Sequence, residues 1–510
     1  MSSSILWGKY LVARAYDDRS DILSDGALYQ EDGTIVDVGP YSELKARYAA
    51  DEVIGGEQFV VIPGLVNAHH HGRGLTSFQM GSHDDPLEYW ITEGWGRRGV
   101  DLRLNTLYSC TKLIRSGVTT VMYNHPTGLA ARLKEECEIA LKAFREAGQR
   151  VAFSPYVRSQ YRVVYEEDDR FLSRLPRDLA ARVKGFLDGG YIPEREYLTL
   201  FETLHREHAK DPDHKVNLLL SPANAHWCSD ETLRELKRYA ARFKTGIHMH
   251  LVESIYQKLI GLRLYGKTPV QHLNDLGFLG PEVSFAHGVW VNGEDMKLMA
   301  QNGVSFCHNP TSNLRLKSGI APVAFLMQEG VNVALGSDSS AINEDEDMLQ
   351  EMRLAHKLHR PPGVNSPSLT ADQVMKMATV NGATATLFHD VGALEKGKRA
   401  DAVLVRLQNL LEPYLDPSMS IVDALVYRAR ALDVDTVVIN GHTVLKDGRF
   451  THLDEQGIIQ ELKRALSRPL TQAERERLTL VQELMPYVRR FYESWDLGEL
   501  APFYYYNSQR

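Results

Sequence analysis

The residues best suited to chemistry lie in Asn67-Ala68-His69-His70-His71, at the end of an apolar run. Side chains alternate along a strand, so His69 and His71 share one face and His70 takes the other. Two imidazoles directed into a common interior make half of a metal site. A histidine pair alone also reads as a structural pair, so the later histidines and acids matter. TGIHMHLVES sets His248 and His250 on one face, with Glu253 three residues beyond. EVSFAHGVW ends its apolar run at His287, and VNVALGSDSS ends its run at Asp338. Polar groups recur at the C-terminal ends of successive strand-like segments, where barrel enzymes carry their active sites.

The elements that must position these groups alternate between strand and helix patterns. Eight strand candidates are FVVIPGLV (59–66), VTTVMY (118–123), VAFSPY (151–156), VNLLLSP (216–222), TGIHMHL (245–251), EVSFAH (282–287), VSFCHN (304–309) and VNVALGSD (331–338). Helix-period segments such as LNTLYSCTKLIRS and ETLRELKRYAARF follow them. Eight such units predict an α/β fold, a (β/α)8 TIM-type barrel. Short strands with turn signals at Asp32-Gly33, Asn440-Gly441 and Asp447-Gly448 predict a small β-sandwich built from both chain ends. The boundaries read as 1–62 and 389–454 for the sandwich, 63–388 for the barrel and 455–510 for a helical extension. Thr471 and Glu474 form a capping-box signature ahead of the extension's amphipathic run. Its aromatic end (Trp495, Phe503, Tyr504, Tyr505, Tyr506) packs either on its own barrel or on a partner subunit. The long connection 157–195, with the charge run after Tyr165, is either a solvated excursion or a lid over the barrel mouth.

The 510 residues carry 58 basic and 66 acidic groups, a formal charge of −8, and 43% apolar residues. That balance offers no electrostatic footprint for nucleic acid. The N-terminus lacks a signal pattern, and no apolar run is long enough to span a membrane. Cys110, Cys137, Cys228 and Cys307 are far apart, as reduced thiols are. A soluble cytoplasmic protein with a small-molecule substrate, no membrane partner and a homodimeric or higher assembly is expected.

The motifs together resemble the amidohydrolase superfamily. PGLVNAHHH is similar to its P-G-[FL]-[VI]-[DN]-x-H-x-H opening, IHMHLVES to its H-x-H-x-x-E segment, and FAHGVWV to its strand-6 histidine. HNPTSNLRLKSGIAPV (308–323) resembles its H-[NC]-P-x-S-N loop, and LGSDSSAINEDEDMLQEMRLA (335–355) its strand-8 aspartate. The resemblance runs from about residue 20 to 450. It points to the branch of cytosine, guanine and S-adenosylhomocysteine deaminases and triazine hydrolases.

The resemblance implies that His69, His71, His250 and Asp338 bind one divalent metal, zinc first and iron(II) second. It implies that Glu253 and His287 flank the substrate and act with Asp338 in catalysis. The strand-4 segment VNLLLSP has no lysine for a second metal. The implied reaction is hydrolytic deamination of an aminated heterocycle of purine, pyrimidine, pterin or triazine type. Hydrolysis of a C–Cl, C–S or linear amide bond in the same site is the alternative, and a non-catalytic assembly protein the remote one. One departure matters: Ala223 occupies the place of a histidine in the G-P-H motif of nucleoside deaminases, which weakens an adenosine-like substrate. His248 reads as a core histidine rather than a ligand, and His70 as packing outward. His125 and His226 read as surface or loop residues, and Arg73 and Gln79 as candidates for the barrel mouth. His308, Ser312 and Asn313 either touch substrate or hold the strand-7 loop. His83 to Trp90 reads as a capped helix over the barrel.

Overall fold

Eight parallel strands close around a central axis in the computed structural model, which describes residues 2–126, 130–208, 211 and 215–500. They are Leu65–His70, Val118–His125, Arg150–Val157, a split fourth strand (Val216–Leu218 and Ser221–Pro222), Ile247–Leu251, Val283–His287, Ser305–His308 and Asn332–Leu335. The first four and the last four pair as two parallel sheets. A parallel bridge between Leu220 and Ile247 joins them on one side. On the other, the Asp338 N–H donates to the His69 carbonyl at 3.0 Å. All eight predicted barrel strands are present. The first is displaced: the run 59–66 ends a sandwich strand (Glu52–Pro63), and the barrel strand begins after Gly64. A Cβ on Gly64 would lie 2.2 Å from Thr119 Oγ1, so the chain passes there only as glycine.

Alternation explains what faces inward. On the fifth strand Ile247, Met249 and Leu251 join the large core between barrel and helices, while His248 and His250 point inside. The barrel floor is apolar, built from Val66, Met122, Ala152 and Leu219 over Ala383 and Phe388.

Nine strands from both ends of the chain form one hydrogen-bonded sheet. Leu6, Leu28 and Ile35 share a core with Val61, Leu404 and Val438, so the sheet folds over itself as a sandwich. Each turn signal forms a hairpin with left-handed residues: Asp32 (φ 46) and Gly33 (φ 80), Asn440 (φ 52) and Gly441 (φ 77), Asp447 (φ 50) and Gly448 (φ 67). Arg150 of the third barrel strand joins the two units through a buried pair with Asp401 at 3.1 Å.

The excursion 157–195 is not a solvated loop. It carries helices Asp168–Leu172 and Arg177–Gly190, and it buries Val163, Val164 and Tyr165. These pack with Leu484, Val488, Tyr492 and Trp495 of the C-terminal extension, and with Trp227 after the fourth barrel strand and Ile260 of the helix Ile255–Tyr265. The extension therefore packs on its own chain. Its long helix, Gln472–Glu493, starts with the expected capping box: the Glu474 N–H donates to Thr471 Oγ1 and the Thr471 N–H to Glu474 Oε2. Phe503, Tyr504, Tyr505 and Tyr506 lie outside the described residues. No described helix is long and apolar enough to cross a membrane. The four cysteines are buried and unpaired.

Candidate metal centre

Four side chains from the first, fifth and eighth barrel strands meet at one point. His69 Nε2 and His71 Nε2 each lie 3.2 Å from Asp338 Oδ1, and His71 Nε2 lies 3.2 Å from His250 Nε2. Partners on the far side of each ring fix the tautomers. His71 Nδ1–H donates to the Asn124 carbonyl at 2.7 Å, and His250 Nδ1–H to the Ala223 carbonyl at 3.0 Å. A carbonyl can only accept, so both Nε2 atoms present lone pairs. His69 Nδ1 meets His248 Nε2 at 2.7 Å, and His248 Nδ1 meets Ser284 Oγ at 2.7 Å. With Ser284 Oγ accepting from His248 Nδ1–H, and His248 Nε2 from His69 Nδ1–H, the His69 Nε2 lone pair faces the centre.

Three imidazole lone pairs and a carboxylate oxygen at these separations repel one another unless a cation lies among them. His69 Nε2 and Asp338 Oδ1 are buried without a hydrogen-bond partner among the described residues. Orphaned buried acceptors are expensive. An N₃O donor set with imidazoles oriented from behind suits a divalent metal. The electrostatics agree. Burial holds His69 and His250 well below the ordinary histidine pKa, and pushes His248 down to about 3. Burial alone would raise Asp338. The surrounding imidazoles, His69 foremost, outweigh it and hold the carboxyl well below the usual range.

Two further groups face the same point. His287 Nε2 lies 3.7 Å from Glu253 Oε2 and 3.7 Å from Asp338 Oδ2. Both separations are too long for direct hydrogen bonds. Both His287 Nε2 and Glu253 Oε1 lack partners among the described residues. Burial, then the charges of Asp338 and Glu88, raise the Glu253 pKa well above the carboxylate range. His287 is held by Asn313 Oδ1, which accepts from Nδ1–H at 2.9 Å. Asp338 Oδ2 accepts from Ser312 Oγ at 2.6 Å.

Backbone strain brings two of these groups inward. Val283 and Phe285 point outward and Ser284 inward, so continued alternation would turn His287 away from the centre. A φ of 74° reverses it. Asp338 has a φ of 62°. Left-handed conformations at non-glycine residues cost about 1–3 kcal/mol each and persist where the surroundings enforce them.

The remaining candidates divide clearly. His248 stands behind His69, and His70 Nε2 pairs outward with buried Glu346 at 2.7 Å. Ser312 and Asn313 hold Asp338 and His287. His308 is buried against His359 Nε2 at 3.0 Å. His125 and His226 are buried rather than at the surface, 2% exposed each. Gln79 is exposed, and its Oε1 accepts from the Thr76 N–H in a tight turn. Arg73 is half-buried near His125 and Tyr156, where its charge acts on both. The helix Leu87–Gly94 has Pro86 at its N-cap and no side-chain cap. Asp84 and Asp85 instead pair with Arg315 and Arg489. Sequence reasoning missed Glu88, a buried carboxylate on that helix; its surface-like helical spacing gave no signal.

The amidohydrolase family profile matches residues 60–444. The chain belongs to the amidohydrolase family. A short segment, residues 26–50, also matches the bacterial imidazolonepropionase-like composite domain. A 5'-deoxyadenosine deaminase of Methanosarcina mazei is 33% identical over 454 residues, covering 88% of this chain and 94% of that protein. An adenosine deaminase from Xanthomonas campestris, crystallised with bound zinc, superposes with a TM-score of 0.77 at 23% identity, over 94% of this chain and 99% of that one. A triazine hydrolase from Arthrobacter aurescens gives 0.78 at 23% identity, over 92% and 100%. These likenesses fall in the deaminase and triazine hydrolase branch of the amidohydrolases. They extend across barrel and sandwich, and the family match stops before the C-terminal helices.

Proposed function

We propose that this amidohydrolase removes ammonia from an aminated N-heterocycle, with His69, His71, His250 and Asp338 holding one zinc ion. The observation that carries this reading is the convergence of three oriented imidazole lone pairs and one carboxylate beside a buried acid. Imidazole and carboxylate donors suit zinc, and iron(II) next. When bound, such a metal supplies a water whose pKa falls from about 15.7 to about 7. The names of the similar deaminases support ammonia as the leaving group. The buried, unpaired thiols support a reducing, cytoplasmic setting.

The chain's own groups divide the proton work. Asp338 Oδ2, steadied by Ser312, accepts the proton of the attacking water. Burial favours the neutral form of Glu253, and Oε1 delivers its proton to a ring nitrogen next to the reacting carbon. The proton on Asp338 then passes to the amino group; the C–N bond breaks, ammonia leaves, the former water oxygen becomes a carbonyl, and its remaining proton returns to Glu253. His287, steered by Asn313, orients the attacking oxygen and stabilises the developing tetrahedral centre through Nε2.

The test is Glu253→Gln in zinc-loaded protein, with ammonia release screened over aminated purines, pyrimidines, pterins and triazines. Zinc content should stay at one per chain while turnover falls about 10²–10⁴-fold. His69→Ala should lose both metal and turnover. A fully active Glu253→Gln enzyme refutes the assignment. Release of chloride or a thiol in place of ammonia moves the reading to the alternative hydrolyses.

A further inference from the structure

Beside Glu253 lies a second buried carboxylate that the proton work above does not use. Glu88 is 4% exposed. Its Oε1 accepts from Tyr165 Oη at 3.0 Å and from the Ser254 hydroxyl, and Ser254 adjoins Glu253 in the chain. Its Oε2 is equally buried and has no partner, and no lysine, arginine or histidine forms an ion pair with it among the described residues. A second orphan lies close by. The His226 ring meets Tyr165 edge-on at 4.6 Å, and its buried Nε2 also lacks a partner among the described residues. His226 comes three residues after Ala223, the position where the nucleoside-type motif has its histidine.

The scaffold of this corner joins barrel segments inside the family match to the C-terminal helix, which lies beyond it. Tyr165 belongs to the excursion. Its backbone N–H donates to Tyr492 Oη at 3.2 Å, and Tyr492 lies on the C-terminal helix beyond the family match. Tyr165, Tyr256, Tyr492 and Trp495 pack around the corner with ring centroids 5.1–6.4 Å apart. A carboxylate held by two hydroxyls on one oxygen, with the other left bare, is a costly arrangement for a purely structural residue. A ligand that donates to the bare oxygen removes that cost.

We propose that Glu88 is a substrate-anchoring residue whose Oε2 accepts a hydrogen bond from the bound heterocycle, on the part remote from the reacting carbon. The ligand class is an aminated heterocycle bearing an N–H or O–H donor there, on a ring nitrogen or a hydroxylated substituent. A fully alkylated heterocycle lacks the donor. His226 Nε2 offers the adjacent polar contact, and Tyr165 fixes the carboxylate's orientation. This inference rests on the deaminase reading for its ligand, although Glu88 takes no part in the proton transfers.

The test uses full-length, zinc-loaded protein with 5'-deoxyadenosine as probe. Glu88→Gln should raise KM about 10- to 100-fold, the loss of one charge-assisted hydrogen bond, with a much smaller change in kcat. A thermal shift by the same ligand should appear in Glu253→Gln, which binds without turnover, and shrink in Glu253→Gln/Glu88→Gln. The ligand-free Glu88→Gln protein should melt at or above the parent's temperature. An unchanged KM, or a lowered melting temperature with undiminished ligand shift, overturns the anchor and leaves Glu88 a structural residue. If wild type releases no ammonia but the ligand shift is present and lost with Glu88→Gln, the reaction assigned above fails and the anchor stands. If the probe neither binds nor reacts, the melting temperature decides alone: a Glu88→Gln protein that melts below the parent overturns the proposal.

Discussion

Replacing His248 with phenylalanine separates a positioning role from both a core role and a ligand role. When His69 Nδ1–H donates to His248 Nε2, the lone pair of His69 Nε2 is turned toward Asp338. Phenylalanine keeps a ring in the space but offers no acceptor. His69 is fully buried, so its Nδ1–H can reach no water. Without metal, His69 can escape by moving its proton to Nε2 and donating to Asp338 Oδ1, 3.2 Å away. With metal bound, Nε2 is occupied and Nδ1–H stays unpaired, at about 1–3 kcal/mol. The penalty therefore falls on the metal-bound form. Metal affinity should drop about 10- to 100-fold, as for other groups that orient a ligand from behind. The metal-free melting temperature should change little, while the stabilisation given by excess zinc should shrink by about 1.4–2.7 kcal/mol. Competition with a chromophoric chelator and calorimetry with and without zinc measure both quantities. An affinity within threefold of wild type refutes the relay and makes His248 a filler of the core. Complete loss of stoichiometric zinc makes it a ligand instead.

Two further predictions concern stability. Arg150→Ala leaves Asp401 buried without its cation at the junction of barrel and sandwich. It should cost about 3–5 kcal/mol in urea unfolding, and a loss under about 1 kcal/mol contradicts the role given to the pair. Burial lowers His125 to about 3 and His359 to about 4, against 6.5 unfolded. The unfolded chain thus takes up protons below pH 6.5 that the folded chain refuses, so stability is full above that pH and is lost as pH falls toward 4. Urea midpoints that stay flat between pH 7 and pH 5 would argue against it.

Much of this was legible in the sequence because the elements obey simple periods. Ile247, Met249 and Leu251 alternate with His248 and His250, and the pattern alone put both histidines inside. The Asp-Gly and Asn-Gly turns and the Thr471–Glu474 box carried local instructions that tertiary packing did not override. Other features resisted for physical reasons. His287 and Asp338 are legible as the polar ends of apolar runs, but the left-handed backbone that turns them inward is encoded by no side-chain period. The run 59–66 reads as one strand because both halves are apolar, and only the close pass of Gly64 over Thr119 divides it. The excursion leaves a solvated loop and a lid both open because its charge run sits beside Tyr165, whose burial depends on the distant C-terminal helix. Glu88 was invisible for the same reason, since its surroundings come from distant segments of the chain.

The excursion and Glu88 share a location. The groups that orient a metal are local to the ends of barrel strands, and a short motif records them. The groups proposed to read a substrate rest on the excursion, inside the family match, and on the C-terminal helix, where that match has ended. An adenosine deaminase and a triazine hydrolase superpose on this chain almost equally well. The shared scaffold therefore does not choose between such substrates. The choice depends on what the mouth offers beyond the metal. Ala223 removes one polar contact expected for a nucleoside. Buried Glu88 and His226 are the two proposed in its place, each with an atom that no described protein group satisfies. Substrate preference should therefore follow Glu88, Tyr165 and His226 rather than overall resemblance, and exchanging Tyr165 for phenylalanine should alter KM across heterocycles while leaving zinc content at one per chain.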